Sequence, residues 1–333
     1  MKGFLIVLAL AALCLAPVAK CDAQARAQAT APQRPAVAYA VDGVLYLATQ
    51  SGEVVQKIEV EYPIGDFTIS PDLKTVVFVP PHPGEEGGPL FVLNVASGNM
   101  DLVMPDPYFN DDSVAGDFAL FYSDPEFSPD GKRVVFATHA YGEGNEVQLS
   151  GPLALLDIET REVSIVGSTV ASDGLPLGYI RYPHWSPDGK QIVGNVEGHS
   201  FLTDAAGEEL KEVILPAGEV IQSADSYGML AVGWLGSGCV LYKAGEDLEH
   251  DPARVFNINS QETSPASELL RLPEESLRGV REFSGGLRLF VDDAGFRVEG
   301  LGISWLIHGD SEISYAHLLP QRVGAGQIPA VCK

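Results

Sequence analysis

Three stretches of the 333-residue chain repeat one another. Phe127 to Phe136 runs from an aromatic through Ser128-Pro129-Asp130-Gly131 and Lys132 into Arg133-Val134-Val135-Phe136. The same order appears from Phe67 to Phe78 around Ser70-Pro71-Asp72-Leu73, and from Trp185 to Gly194 around Ser186-Pro187-Asp188-Gly189. Ser70, Ser128 and Ser186 are spaced at equal intervals of 58 residues. Two degenerate copies follow, at Gly233 to Tyr242 and at Phe283 to Phe290. A fixed period of this size is a sign of stacked or radial repeats.

The unit reads as a tight antiparallel hairpin. Proline presets its own φ, aspartate accepts local backbone hydrogen bonds, and glycine takes φ > 0. The β-branched run that follows suits a strand. A second hairpin trails the first: Leu90 to Val95 turns at Ala96-Ser97-Gly98-Asn99, and Leu153 to Ile158 turns at Glu159-Thr160-Arg161. Two hairpins make a four-stranded sheet that cannot bury both faces alone, and radial stacking solves this. The fold class is all-β, a propeller. Hairpin centres fall at 70, 128, 186, 236 and 284. The strands from Val37 to Val60 lack such a hairpin, and the C-terminal strands near Ile303-Ser304-Trp305 and Ile313-Ser314-Tyr315 could complete their blade. That gives six four-stranded blades closed by strands from both ends. Five or seven stay open, because the register after Glu299 is unfixed.

The aromatic-Ser-Pro-Asp-Gly-Lys unit resembles the TolB-like, WD-like propeller repeat of exported bacterial proteins, which also occurs in the propellers of prolyl oligopeptidases and dipeptidyl peptidases. The resemblance covers residues 36–320, three copies strongly and two weakly. It implies a scaffold and, by analogy with TolB, an envelope role. Residues 26–35 read as a short linker, with no room for a TolB N-terminal domain, and residues 321–333 as a tail. A serine elbow of a hydrolase needs Gly-x-Ser-x-Gly, a pentapeptide absent from this sequence, and no peptidase domain is expected.

Lys2 and the apolar run from Phe4 to Ala16 read as a signal peptide of residues 1–25, with cleavage after Ala25. Lys20 stands where a lipid-anchor signal at Cys21 needs a small residue. An exported chain, periplasmic or secreted, is expected, without a membrane span. Export leaves Cys239 and Cys332, which either pair as a disulfide or stay separate thiols. The net charge of −24 repels phosphate backbones and argues against nucleic acid. It also favours a self-repelling monomer.

In a propeller the first-to-second strand turns lie on one face. The second-to-third loops and the blade-to-blade connections lie on the other. Long segments gather on that second face, at 80–89, 104–126, 138–152, 167–184 and 243–254, and long loops on a rigid scaffold are where binding resides. Its candidate contact residues are Tyr108, Phe109, Phe121, Tyr122, His139, Tyr141, Tyr179, Tyr182, His184 and His199. The aromatics either meet a partner or anchor their own loops. Asp111, Asp112 and Asp117 form an oxygen-rich cluster that is either solvated or a Ca²⁺ site. Histidines converging from several blades could hold a divalent transition metal. His308 and His317 read as ordinary edge or core histidines. No catalytic residue and no required cofactor is nominated. The leading expectation is a non-enzymatic scaffold for a protein or peptide partner. The alternative is a metal-assisted hydrolase or lyase acting on a carbohydrate or lactone.

Overall fold

A computed structural model describes residues 34–41, 43–81, 88–103, 118–142, 148–166, 180–196, 199–204, 210–212, 229–244, 253–277, 280–284, 287–292, 295–300, 303–307, 315–319 and 329–332. They form six four-stranded antiparallel blades. Blade I holds β4 (Phe67–Ile69), β5 (Thr75–Phe78), β6 (Leu90–Asn94) and β7 (Met100–Val103). Blade II holds β8 (Phe118–Phe127), β9 (Arg133–Gly142), β10 (Gln148–Asp157) and β11 (Val163–Val166). Blade III holds β12 (Ile180–Trp185), β13 (Gln191–Val196), β14 (His199–Asp204) and β15 (Leu210–Glu212). Blade IV holds β16 (Met229–Trp234), β17 (Cys239–Ala244), β18 (Ala253–Asn257) and β19 (Glu262–Pro265). Blade V holds β20 (Val280–Ser284), β21 (Leu287–Asp292), β22 (Gly295–Gly300) and β23 (Ile303–Ile307). A short helix, α1 (Ala266–Leu270), lies between blades IV and V.

Blade VI closes the ring. Its order is β24 (Tyr315–Leu318), β1 (Val37–Val41), β2 (Val44–Ala48), β3 (Val54–Glu59). Strand β24 pairs antiparallel with β1, Val37 opposite Leu318. Of the two segments considered for closure, the second supplies the strand, while Ile303–Ile307 is the outer strand of blade V. Closing with both ends leaves no free inner edge. Neighbouring first strands touch one another from β4 to β8, β12, β16, β20 and β24. The Phe67 and His317 rings meet edge to face at 5.0 Å, joining blades I and VI.

The valine runs explain the stacking. Successive side chains of a strand point to opposite faces. Val76 and Phe78 of β5 pack towards Leu45 and Leu47 of blade VI. Val77 packs the other way, with Val134 and Phe136 of blade II. Val135 then meets Trp185 and Ile192 of blade III. Each run is apolar throughout because both faces are buried, and each such side chain contributes roughly 1.5–3 kcal/mol.

The Ser-Pro-Asp turns are bonded alike. Ser128 Oγ donates to Asp130 at 2.7 Å and accepts from the Arg133 N–H at 3.0 Å. Ser70 and Ser186 donate to Asp72 and Asp188 at the same distance. Gly131 and Gly189 take φ of 73° and 68°, and Leu73 takes 62° in the corresponding place. Adjacent turns touch: a Cβ on Gly131 would lie 3.2 Å from Pro71 Cδ.

Parts of the expected long loops are strand instead, with residues 180–184 in β12. Residues 118–126 belong to β8, and 138–142 and 148–152 belong to β9 and β10. These strands extend past the blade as a ribbon, with Phe121 opposite His139 and Tyr141 opposite Ala119. The segment 119–122, Ala-Leu-Phe-Tyr, and its partner 138–141, Thr-His-Ala-Tyr, are rich in strand-forming residues, which favours continuing the ladder over breaking it. A register shift between Ser150 and Leu153 brackets Gly151-Pro152, where proline cannot donate to the ladder.

Candidate functional site

The first strands of four blades bring titratable groups together on the central wall. Asp66 precedes β4, Asp124 and Glu126 lie on β8, Tyr182 and His184 on β12, and His317 on β24. The local cause is a repeated bulge. Register shifts separate Ser123 from Glu126 and Arg181 from His184. Asp124 and Tyr182 each have φ of 51°, and each precedes a proline. A bulge turns the backbone out of its own ladder. Here it sends the freed N–H to the preceding blade. The Asp124 N–H donates to Asp66 Oδ2 in a very short hydrogen bond. The Tyr182 N–H donates in turn to the Asp124 carboxylate.

A second row runs two residues further along. Thr68 Oγ1 accepts from the Phe127 N–H at 3.2 Å. Glu126 Oε1 accepts from the Trp185 N–H at 2.9 Å, and its other oxygen lies 2.6 Å from His184 Nδ1. Trp234 Nε1 donates to the His184 carbonyl at 2.9 Å. Side chains of blades I and II thus hold the backbone of the blade that follows, and the Trp185 and Trp234 indoles reach back to a carbonyl of the blade before.

The electrostatics follow from enclosure. Burial pushes the Asp124 carboxyl up to about 7, and the neighbouring Asp66 carboxylate adds to the rise. The Ser123 hydroxyl, the Tyr182 N–H and His184 pull in the opposite direction. The residue keeps some exposed surface through other atoms, but its carboxyl group is surrounded by protein. His317 Nε2 lies 3.4 Å from Asp66 Oδ1. His317 is thus a member of this wall rather than an ordinary edge or core histidine. Glu126 and His184 form an oriented carboxylate–imidazole pair that keeps partial access to solvent. Asp66 and Asp124, spent on backbone N–H groups, act as a joint between blades. Among the described residues no three of His, Cys, Asp and Glu converge in a group that could hold a metal ion.

The expected contact residues divide. Tyr122 is 5% exposed and packs edge to face on Phe136 at 5.5 Å, so it anchors β8 in the core. Burial pushes its hydroxyl up to about 12. Tyr182 and His184 belong to the wall just described. Phe121, His139 and Tyr141 fall on the blade II ribbon and His199 opens β14. Tyr108, Phe109, Tyr179, Asp111, Asp112 and Asp117 lie outside the described residues. Asp66, Asp124 and Glu126 went unrecognised as a site in the sequence, yet a signal was present. Asp66, Asp124 and Tyr182 each stand four residues before the repeat serine, and Thr68, Glu126 and His184 two before it. Cys239 and Cys332 form a disulfide with a Cα–Cα distance of 5.0 Å.

Comparison with known proteins places the fold alone. TolB from Acinetobacter baumannii is similar at a TM-score of 0.50 and 14% identity, over 86% of this chain and 67% of that one. A putative TolB from Agrobacterium tumefaciens gives a TM-score of 0.47 and 15% identity, over 71% and 79%. An oligogalacturonate lyase solved with manganese gives 0.46 and 14%, over 78% and 74%. No protein-family model matches the sequence. No curated protein matches it either. The chain is a six-bladed, TolB-like β-propeller in fold, and no described helix is long and apolar enough to cross a membrane.

Proposed function

We propose that this chain is an exported, non-enzymatic binding scaffold that engages a protein or peptide partner through the face opposite its Ser-Pro-Asp turns. One observation carries the reading: the two ends of the blades are built differently. The turn end of blades I to III is closed by short, self-bonded hairpins whose serines are buried. The opposite end carries the blade II ribbon, in which β8, β9 and β10 run for ten residues each. Variable segments on a rigid frame are a common design for recognition. The enclosed Asp66–Asp124 pair supports the non-enzymatic side, because both carboxylates are engaged with backbone N–H groups.

The test replaces residues 105–116 with a short Gly-Ser linker, leaving β8 intact. A partner is first identified by cross-linking the intact protein in its envelope fraction. Binding of that partner should fall at least tenfold in the loop variant, with the melting temperature unchanged. Unchanged affinity would overturn the assigned face. Turnover on a panel of glycans and lactones, abolished by chelator, would overturn the non-enzymatic reading.

A further inference from the structure

The turn end of blade IV is built unlike those of blades I to III. Its first hairpin has Leu235-Gly236-Ser237-Gly238 where the others have Ser-Pro-Asp. No serine–aspartate pair can form there. The segment Ala330–Cys332, a short 3₁₀ turn, lies against this hairpin instead. The Gly238 N–H donates to the Cys332 carbonyl at 3.2 Å, and Asn257 Nδ2 donates to the Val331 carbonyl at 2.8 Å. Cys332 is fully buried, in a core cluster with Leu235, Leu241, Val255 and Phe290.

The same segment follows β24, the strand that closes blade VI. Leu319, just beyond β24, donates its N–H to the Ala36 carbonyl at 2.8 Å. The chain therefore leaves blade VI and is bonded covalently to blade IV, two blades away round the ring.

We infer that the Cys239–Cys332 disulfide is a covalent lock on ring closure. It does two things with one bond. It replaces the missing turn network of blade IV, and it restrains the closing strand from its C-terminal side. Strand β24 is already held on its N-terminal side by the chain from blade V and laterally by β1. With the bridge in place, the chain that follows β24 ends fastened to blade IV instead of free. Both sulfur-bearing residues are 0% exposed, so the bridge is a permanent fastening rather than a switch that reductants reach from solvent.

The test compares the intact protein with two variants, Cys239→Ala/Cys332→Ala and a chain stopped after Ile328. Hydrogen–deuterium exchange is followed in three peptides. One covers β24, one covers β16 and β17, and a control covers β4 and β5. Both variants should exchange at least tenfold faster in β24 and in the blade IV hairpin, while the control keeps its rate. Faster exchange in blade IV alone would make the bridge a local staple and overturn its role in closure. Uniform acceleration in all three peptides, or none, would overturn it equally. The stopped chain keeps Cys239 and tests the lock should the double variant fold poorly.

Discussion

At the scale of single residues, two kinds of carboxylate do opposite things. Asp72, in the first turn, is held below the usual carboxylate range chiefly by the Ser70 hydroxyl, with the Lys74 N–H and charge assisting against an opposing effect of burial. At Asp130 and Asp188 burial is the largest influence and pushes upward, but the serine hydroxyl and the lysine N–H together outweigh it. These groups favour the folded state while ionised, and that contribution fades as pH falls below about 4. Asp124 behaves in reverse. Its carboxyl titrates about 7 in the fold and 3.8 as a free side chain. Between those values the folded chain holds a proton that the unfolded chain has lost, so this contribution to stability diminishes as pH rises from 4 to 7. Asp124→Asn keeps an acceptor for the Tyr182 N–H and cannot ionise. Urea titrations should show the variant more stable than the parent at pH 8, with a flatter profile between pH 4 and 7. An unchanged profile would mean that Asp124 is ionised throughout that range. Ser128→Ala removes an almost fully buried hydroxyl that serves Asp130 and the Arg133 backbone. It should lower unfolding stability by about 1–3 kcal/mol, measurable in the same titrations.

At the scale of elements, the sequence displays its hairpins because turn chemistry is local. Ser-Pro-Asp needs only its own neighbours to define a turn, so the first hairpins of blades I to III fall where the repeat puts them, and the degenerate copies mark those of blades IV and V. Strand β24 has no such marker, so the sequence offers its segment beside Ile303-Ser304-Trp305, and pairing with β1, almost the whole chain away, decides between them. The blade II ribbon was hidden for a related reason. Polar and glycine-containing ends at 142 and 148 suggest a loop, whereas the cross-strand partners that keep the ladder going are distant in sequence. The wall of Asp66, Asp124, Glu126 and His184 was half visible. Its offsets from the repeat serine are regular, but the bulges that redirect the backbone N–H groups appear only once Pro125 and Pro183 are seen to interrupt pairing. A test at this scale is Gly131→Ala. The new Cβ must adopt a left-handed conformation and press on Pro71 of the neighbouring turn. It should lower stability by about 1 kcal/mol, with the loss shared between the first hairpins of blades I and II in exchange measurements. A loss confined to blade II would show that the turns do not lean on one another.

At the scale of the whole molecule, closure depends on two distant joins. One is the non-covalent pairing of β24 with β1. The other is the bridge across a sequence separation of 93 residues, a loop long enough to contribute about 4–5 kcal/mol in a chain-entropy account. Alternate faces of each strand serve the preceding and following blades, so no blade has a core of its own. The carboxylates on the central wall add something the packing lacks, a direction of travel. Asp66 grips Asp124, Asp124 grips Tyr182, and Glu126 grips Trp185, each from the earlier blade to the later one, while the Trp185 and Trp234 indoles reach back to the carbonyls of the blade before. From blade I to blade III the carboxylates therefore share a sense, like a row of people each resting a hand on the shoulder in front. Damage should be felt downstream. Removing the Glu126 carboxylate by substitution to alanine should disturb the amide of Trp185 in blade III before it disturbs blade I, and amide chemical shifts would record which neighbour responds.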